Sequence, residues 1–190
     1  MRRLWLIVGI CVVAGVVVLA VTRGGKGTPK SAAVSSAELQ KAFAGSPPVL
    51  ASLHDQGSEL LGGGKSAFTK RLTDLRGHPV VVNKWAAWCG PCRQEFPWLQ
   101  QLSVRYGKTV AFLGVDSNDV SSDAKQFLKQ LPVSYPSYED PDLKIAASMN
   151  AVGAFPTTIF FNSQGKVVAT HIGAYQKRAQ MQQDIARYAR

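Results

Sequence analysis

Cys89 and Cys92 are the residues of this chain whose type and spacing favour redox chemistry. They belong to the segment Trp-Cys-Gly-Pro-Cys at residues 88–92, which lies between a β-branched run at 80–82 and a helical pattern of apolar residues. This order predicts that Cys89 lies on the first turn of a helix, where unpaired backbone N–H groups and the helix dipole favour its thiolate. Cys92 lies one turn further along and can close back on Cys89 to release a bound partner. We therefore predict a thiol–disulfide oxidoreductase in which Cys89 is the nucleophile and Cys92 the resolving residue.

Metal binding and a purely structural disulfide are the competing interpretations of the same pair. A structural zinc site needs four ligands, but the chain holds three cysteines, and the third, Cys11, lies in an apolar N-terminal segment. The three histidines, His54, His78 and His171, show no paired ligand spacing. Gly-Pro between the cysteines and a helix directly after them disfavour a structural bridge. We expect no metal, and no cofactor besides the redox-active disulfide of the pair itself.

The N-terminal residues predict the compartment. Residues 4–21 form an uncharged, mostly apolar stretch, preceded by Arg2 and Arg3, that would span roughly 27 Å at about 1.5 Å per residue. The stretch is longer than the apolar region of a typical cleaved signal peptide, so residues 1–22 are predicted to be an uncleaved signal-anchor. The short basic flank favours a cytoplasmic N-terminus, which would make the chain a single-pass cell-membrane protein with its catalytic domain on the extracytoplasmic side. Disulfides form and persist in that compartment.

The rest of the chain divides into a linker and one domain. Residues 23–45 are rich in Gly, Ser, Ala and Lys and are predicted to be a flexible linker, whereas residues 46–190 suit one domain with its own core. The formal net charge of +10 is not organised as a basic stripe interleaved with aromatics, so nucleic acid is not expected as a partner. Strands and helices alternate as in an α/β sandwich. The predicted elements are a β-hairpin (49–53 and 58–61), a strand (79–85), a helix (89–106), a strand (110–115), two helices (ending at 131 and 149), a β-hairpin (157–161 and 166–171) and a C-terminal helix from 174.

Two segments, residues 75–99 around the cysteines and residues 152–161 with Phe-Pro-Thr-Thr, resemble membrane-anchored thioredoxin-like proteins of the TlpA/ResA type. The resemblance covers nearly the whole domain from residue 46. It implies a thioredoxin-like fold, with a central mixed β-sheet flanked by helices, to which the predicted N-terminal β-hairpin is added. The interval between Cys92 and Pro156 leaves room for the additional central strand–helix unit that is typical of this family.

The resemblance also implies a substrate-binding loop. Pro156 corresponds to the cis-proline of the family, which faces the two cysteines. A cis X–Pro bond there would turn the chain and present the backbone of Phe155 to an extended client segment. The alternative is a trans proline that only starts the next strand. The predicted substrate-binding residues are Trp88, Gly90, Pro91, Phe155 and Thr157.

Glu95 is predicted to transfer a proton to or from Cys92. It lies three residues after Cys92, within reach on the same helix, and matches an acidic residue of the ResA-like pattern. Burial should raise its pKa, as such a group requires; the alternative is an ordinary first-turn glutamate favoured by the helix dipole. Two positions depart from the family. Asn83 stands where ordinary thioredoxins carry a buried acid, and Lys84, which replaces an aromatic residue, is predicted to point away from Trp85 and to reach solvent.

The family resemblance implies that the clients are exported proteins with disulfides or dithiols, such as apocytochromes c, and that a membrane thiol carrier is the electron partner. We expect a monomer. Gly-Pro between the cysteines is typical of thioredoxin, whose potential is about −270 mV, against about −120 mV for a strong oxidant, and therefore favours reduction of clients. The alternatives are a disulfide-donating oxidant, a copper-delivering module that would use both thiolates and possibly His171, and a non-catalytic adaptor. A peroxidase of the same fold would need a single-cysteine motif that this chain lacks.

Overall fold

The computed structural model describes residues 34–189, in which two helices are followed by strands and helices in alternation and then by two successive strands and a last helix. The helices are α1 (Ser36–Phe43), α2 (Pro48–Asp55), α3 (Gly64–Asp74), α4 (Gly90–Tyr106), α5 (Ser121–Gln130), α6 (Lys144–Ser148) and α7 (Arg178–Tyr188). The strands are β1 (Leu60–Leu61), β2 (Val80–Trp85), β3 (Ala111–Ser117), β4 (Ser137–Asp140), β5 (Thr157–Phe161) and β6 (Val167–Ile172).

The six strands form one mixed sheet in the order β1-β4-β3-β2-β5-β6. Strands β1, β4, β3 and β2 run parallel, whereas β5 is antiparallel to β2 and to β6. This is the predicted thioredoxin-like α/β fold with a mixed sheet. Strand β4 and helix α6 supply the predicted additional strand–helix unit, and the sequence pattern had not located the strand of that unit.

The central strand β2 is buried on both faces of the sheet, and its apolar side chains point in both directions. On one face Trp85 packs edge-on against Phe96 of α4, with ring centroids 5.1 Å apart, and stacks on Phe127 of α5 at 4.7 Å. On the other face Phe68 of α3 and Ile145 of α6 belong to a second buried cluster. Strand β2 is therefore held between two packed layers, and it delivers the cysteines at its carboxyl end.

The predicted N-terminal β-hairpin is wrong. Residues 49–53 lie in helix α2, which begins at Pro48, where proline's fixed φ suits a helix and its missing N–H costs no bond. Leu50 and Leu53, one helical turn apart, are both buried in the core. Strand β1 has only two residues and pairs in parallel with β4. The short apolar run was compatible with either structure, and packing against the sheet selected the helix.

Part of the predicted linker at 23–45 is helical. Ser35 and Glu38 form a reciprocal capping box at the start of α1. At its end, the Phe43 ring stacks on the ring of His54 in α2, with centroids 3.4 Å apart. Residues 36–43, which were predicted to belong to the linker, therefore form a helix that packs on α2.

The predicted membrane anchor at residues 4–21 lies outside the described residues. Within residues 34–189, no helix combines the length and the apolar character that crossing a bilayer requires.

The substitution Gly114→Ala is expected to destabilise the fold by about 1–3 kcal/mol. A Cβ at this position of β3 would lie 2.0 Å from Ser137 Oγ and 3.0 Å from Trp85 Nε1. These two atoms are joined by a 3.1 Å hydrogen bond that the new methyl group would displace. Gly153→Ala is the control, since its Cβ would meet no described atom within 4 Å. Urea unfolding measures both free energies, and equal values for the two variants would contradict the close approach at Gly114.

Candidate active site

Cys89 and Cys92 lie at the amino terminus of helix α4, as predicted, and are joined by a disulfide with a Cα–Cα distance of 5.3 Å. Cys89 is the N-cap residue, and its Sγ accepts a 3.1 Å hydrogen bond from the backbone N–H of Cys92. The sulfur of Cys89 therefore occupies the position at which a helix terminus stabilises negative charge. In this oxidised state Cys89 is only 3% exposed, so little of it faces solvent.

The local sequence explains why the helix begins there. Pro91 lies in the first turn, where no intrahelical N–H partner is needed, and the helix continues through Pro97 to Tyr106. Gly90 and Pro91, two of the predicted substrate-binding residues, are exposed at the surface. Further along, α4 buries Phe96 against the sheet. The apolar face of the helix thus packs against the sheet, while Gly90 and Pro91 in its first turn are exposed to solvent.

The loop that follows β3 forms hydrogen bonds with the segment that precedes Cys89. The Trp88 side chain is 56% exposed, and its Nε1 donates a 2.9 Å hydrogen bond to the carbonyl of Asn118, which follows β3. The backbone N–H of Ala87 donates to the carboxylate of Asp119. Asn118 and Asp119 are not among the site residues predicted from the sequence. Their polar types directly after β3 were a usable signal, because the carboxyl ends of adjacent parallel strands meet at one sheet edge.

The loop before β5 also contacts this segment. The Phe155–Pro156 peptide is cis, as the resemblance implied. The Phe155 ring lies 4.8 Å from the ring of Trp88, so the structure brings these two predicted binding residues together. Within residues 34–189, the backbone of Phe155 pairs with no other backbone group. Thr157 differs: it is buried, and its Oγ1 donates a 2.8 Å bond to the carbonyl of Ala154.

Glu95 is buried on α4, and one of its oxygens, Oε1, accepts a hydrogen bond from the backbone N–H of Tyr175. Its other oxygen, Oε2, has no hydrogen-bond partner among the described residues. Burial raises the pKa of Glu95 to about 7, and the hydrogen bond from Tyr175 opposes that rise. The predicted direction of the pKa shift is thus confirmed. A carboxyl group with this pKa can both take and give a proton near neutral pH.

A second buried acid lies on the neighbouring strand. Asn83 stands on β2 at the position where ordinary thioredoxins carry a buried acid. Its side chain is buried and donates a 3.4 Å hydrogen bond to Thr158 Oγ1. Asp116 of β3 stands beside Trp85 in the strand register and is also buried. Burial, followed by the nearby carboxylate of Asp119, raises the pKa of Asp116 to about 8. Asp116 is therefore held largely in its neutral form at neutral pH, a feature that no local pattern in the sequence indicated.

Lys84 does not reach solvent, and that prediction is wrong. Its side chain points away from Trp85, as expected, but the residue is 0% exposed. Its Nζ donates a 3.1 Å hydrogen bond to the carbonyl of Val152 and lies 3.6 Å from the centre of the Phe155 ring. Burial lowers the pKa of Lys84 to about 8, against an opposing attraction from Asp140. The loop before β5 covers this lysine and leaves it without exposed surface.

His171, the histidine that a copper-delivering module would use, contacts Tyr175 and Asp184. The His171 ring stacks on Tyr175, with centroids 3.7 Å apart, and its Nδ1 lies 3.9 Å from a carboxylate oxygen of Asp184. Among residues 34–189, no group of three or more His, Cys, Asp or Glu side chains could hold a metal ion.

The chain is similar to known thiol–disulfide oxidoreductases and thioredoxin-like proteins. The Redoxin family model matches residues 65–186. The chain is 35% identical over 107 residues to the thiol-disulfide oxidoreductase ResA of Bacillus cereus, covering 56% of this chain and 61% of ResA. It is 31% identical over 117 residues to the thioredoxin-like protein YneN of Bacillus subtilis (strain 168), covering 60% and 67%. The chain thus spans about three fifths of the length of the ResA proteins it matches.

Solved structures show the same fold. A DsbF homologue from Corynebacterium diphtheriae superposes with a TM-score of 0.53 at 28% identity, covering 61% of this chain and 75% of that one. The exposed lipoprotein thioredoxin Etrx1 of Streptococcus pneumoniae has a TM-score of 0.54 at 26% identity, covering 61% and 89%.

Proposed function

The chain belongs to the redoxin family, and on this basis we propose that it is an extracytoplasmic thiol–disulfide oxidoreductase that reduces disulfides in exported proteins. The observation that carries the proposal is the placement of the sulfur of Cys89. It caps helix α4, and the adjacent Trp88 contacts the Phe155 ring of the cis-proline loop. A thiolate stabilised in this way, next to a loop with a free backbone edge, suits exchange with an extended client polypeptide.

The reaction proceeds in two exchange steps. The Cys89 thiolate attacks one sulfur of the client disulfide, which forms a mixed disulfide and releases the other client sulfur as a thiolate. Cys92 then loses its proton and attacks the sulfur of Cys89, which breaks the mixed disulfide and closes the Cys89–Cys92 bond. Two electrons pass from the protein dithiol to the client, which leaves as a dithiol. A membrane thiol carrier then restores the reduced protein.

Glu95 serves the second step by accepting the proton of Cys92. Both residues are buried on α4, three positions apart, so water gives the thiol little help in losing its proton. The unpartnered Oε2 of Glu95 is free to accept a proton, while Oε1 stays bonded to Tyr175. A general base of this kind contributes typically 10²–10⁴-fold, by a rough estimate, to a proton-transfer step.

The client binds as an extended segment beside the Phe155 backbone. Trp88, Gly90 and Pro91 offer exposed surface next to the nucleophile, and Phe155 adds its ring. Thr157 is buried and stabilises this loop through its hydrogen bond to the carbonyl of Ala154, so it does not itself face the client. This surface would contact the residues that flank the client cysteine.

The proposed setting is the outer face of the cell membrane. Residues 4–21 anchor the chain in the membrane as a single-pass protein, and the domain works as a monomer on exported clients. Apocytochromes c are suitable clients because their haem-attachment sites are CxxC dithiols that must stay reduced. The names of the ResA relatives support thiol–disulfide exchange as the activity, and the apolar N-terminal stretch supports the membrane anchor.

The redox potential of the purified full-length protein tests the proposed direction. We expect a potential of about −270 mV, as for thioredoxin, measured by equilibration with dithiothreitol buffers and counting of alkylated cysteines by mass spectrometry. A potential of about −120 mV would instead identify a disulfide donor. If the protein failed to exchange with any disulfide, the enzymatic proposal would be refuted.

A further inference from the structure

Lys84 is a buried ammonium that the two-step exchange does not use. It lies in the middle layer of the fold, on β2, with no exposed surface. Burying a charged amine is costly unless other groups compensate for the lost water. Within residues 34–189 no carboxylate lies close enough to Lys84 for an ion pair, and Asp140 attracts it only from a greater distance. The compensation therefore comes from the groups that Lys84 touches.

Both of these groups belong to the segment Val152–Phe155, which leads into the cis-proline. The carbonyl of Val152 accepts the 3.1 Å hydrogen bond from Nζ, and the face of the Phe155 ring lies 3.6 Å from the same atom. A ring face attracts a cation strongly when water is excluded. One ammonium thus ties the beginning and the end of this segment to strand β2.

The contact extends to the reacting sulfur through one further ring. The ring of Phe155 contacts both the ammonium of Lys84 and the ring of Trp88, which directly precedes Cys89. Trp88 is in turn held by the carbonyl of Asn118. Lys84 is therefore the innermost member of a chain of contacts that ends at the exposed binding surface.

We propose that Lys84 is a positioning residue, which holds the segment Val152–Phe155 against Trp88 in the geometry that binds an extended client. This inference rests on the proposed function, because it assigns the binding loop of that same site. Lys84 touches neither the client nor the sulfurs, so it should affect binding of polypeptide clients and leave the intrinsic reactivity of Cys89 unchanged.

The test compares two disulfide substrates in three variants. Lys84→Met keeps the length of the buried side chain but removes the charge, and Lys84→Arg keeps a cation that can bond the carbonyl and cover the ring. Lys144→Met, at an exposed lysine paired with Asp142, is the matched control. The substrates are insulin with its disulfides intact, which presents a polypeptide to the loop, and the small disulfide dithionitrobenzoate, which does not.

We expect Lys84→Met to raise KM for insulin roughly tenfold, with kcat and the dithionitrobenzoate rate unchanged, and Lys84→Arg to restore most of the affinity. Lys144→Met should behave as wild type. An unchanged KM for insulin in Lys84→Met would overturn the inference, and so would equal losses with both substrates, because that result would indicate an effect on Cys89 itself.

A second variant keeps the test decisive if Lys84→Met folds poorly. Phe155→Leu removes the ring face and leaves the buried lysine in place, so it should raise KM for insulin by a similar factor. In the double variant the two effects should sum to less than their separate values, since the contact between Lys84 Nζ and the Phe155 ring is common to both. Additive effects would overturn the inference. If the wild-type protein reduced neither substrate, the proposed function would fail, whereas failure of the variants alone would remove only the role of Lys84.

Discussion

A Cys92→Ser variant is expected to stop after the first exchange and to remain disulfide-bonded to its client through Cys89. The serine hydroxyl at neutral pH cannot displace a sulfur, so the second step has no nucleophile while the first keeps its own. Turnover with a disulfide protein should fall by roughly 10³-fold or more, as it does when a covalent mechanism loses an essential group. The full-length variant, expressed in its own compartment, should form adducts that migrate as larger species on non-reducing gels.

The controls for this trap use the other two cysteines. Cys89→Ser should form no adduct, and the double variant of Cys89 and Cys92 should also form none. Because the full chain also holds Cys11, the trapping variant is made in a Cys11→Ser background. Mass spectrometry of the adducts identifies the clients and the linked cysteine. Adducts that persist in the absence of Cys89 would show that another thiol is the nucleophile and would contradict the assignment.

Glu95→Gln is expected to slow the second step about 10²-fold at pH 8 and to remove its dependence on pH near 7. In the wild-type protein, burial raises the pKa of Glu95 to about 7, so its carboxylate is present above that pH and can accept the Cys92 proton. Release of the client should therefore accelerate between pH 6 and pH 8. The glutamine keeps an oxygen that can accept the N–H of Tyr175, but it cannot take a proton.

The change of the free energy of unfolding with pH provides an independent check, because the direction of this change follows from the pKa shift of Glu95. The pKa of Glu95 in the folded protein lies above its ordinary value of 4.5, so the native state binds this proton more tightly than the unfolded state does. The free energy of unfolding should consequently fall as pH rises from about 4.5 through 7. Glu95→Gln should lose this part of the fall and be more stable than wild type at pH 8.

Rapid mixing with a fluorescent disulfide peptide measures the release step, and urea titrations at pH 5 and 8 measure stability. Glu59→Gln, at an exposed glutamate of the segment before β1, is the matched control and should change neither quantity. If Glu95→Gln kept the wild-type release rate at pH 8, Glu95 would have no part in proton transfer.

Several features of this protein follow from residues that are close together in the sequence. The Cys-Gly-Pro-Cys segment places two cysteines one helical turn apart. The β-branched run before it specifies the buried strand β2. These features depend on local geometry, in which positions three or four apart lie on one helix face and alternate positions lie on opposite strand faces. The same reasoning failed at residues 49–53, because a short, mostly apolar segment is compatible with both periods.

The surroundings of the site were decided by tertiary structure. Glu95 meets Tyr175, Trp88 meets Asn118, and Lys84 meets Val152, all across long intervals of chain. Such contacts depend on strand order and register, which no local spacing encodes. For this reason the charged residue type at position 84 predicted a lysine that reaches solvent, whereas the cis-proline loop covers this lysine and buries it. The sequence by itself therefore determined which atoms can react, and the packing of distant loops determined the solvation and the charge that surround them.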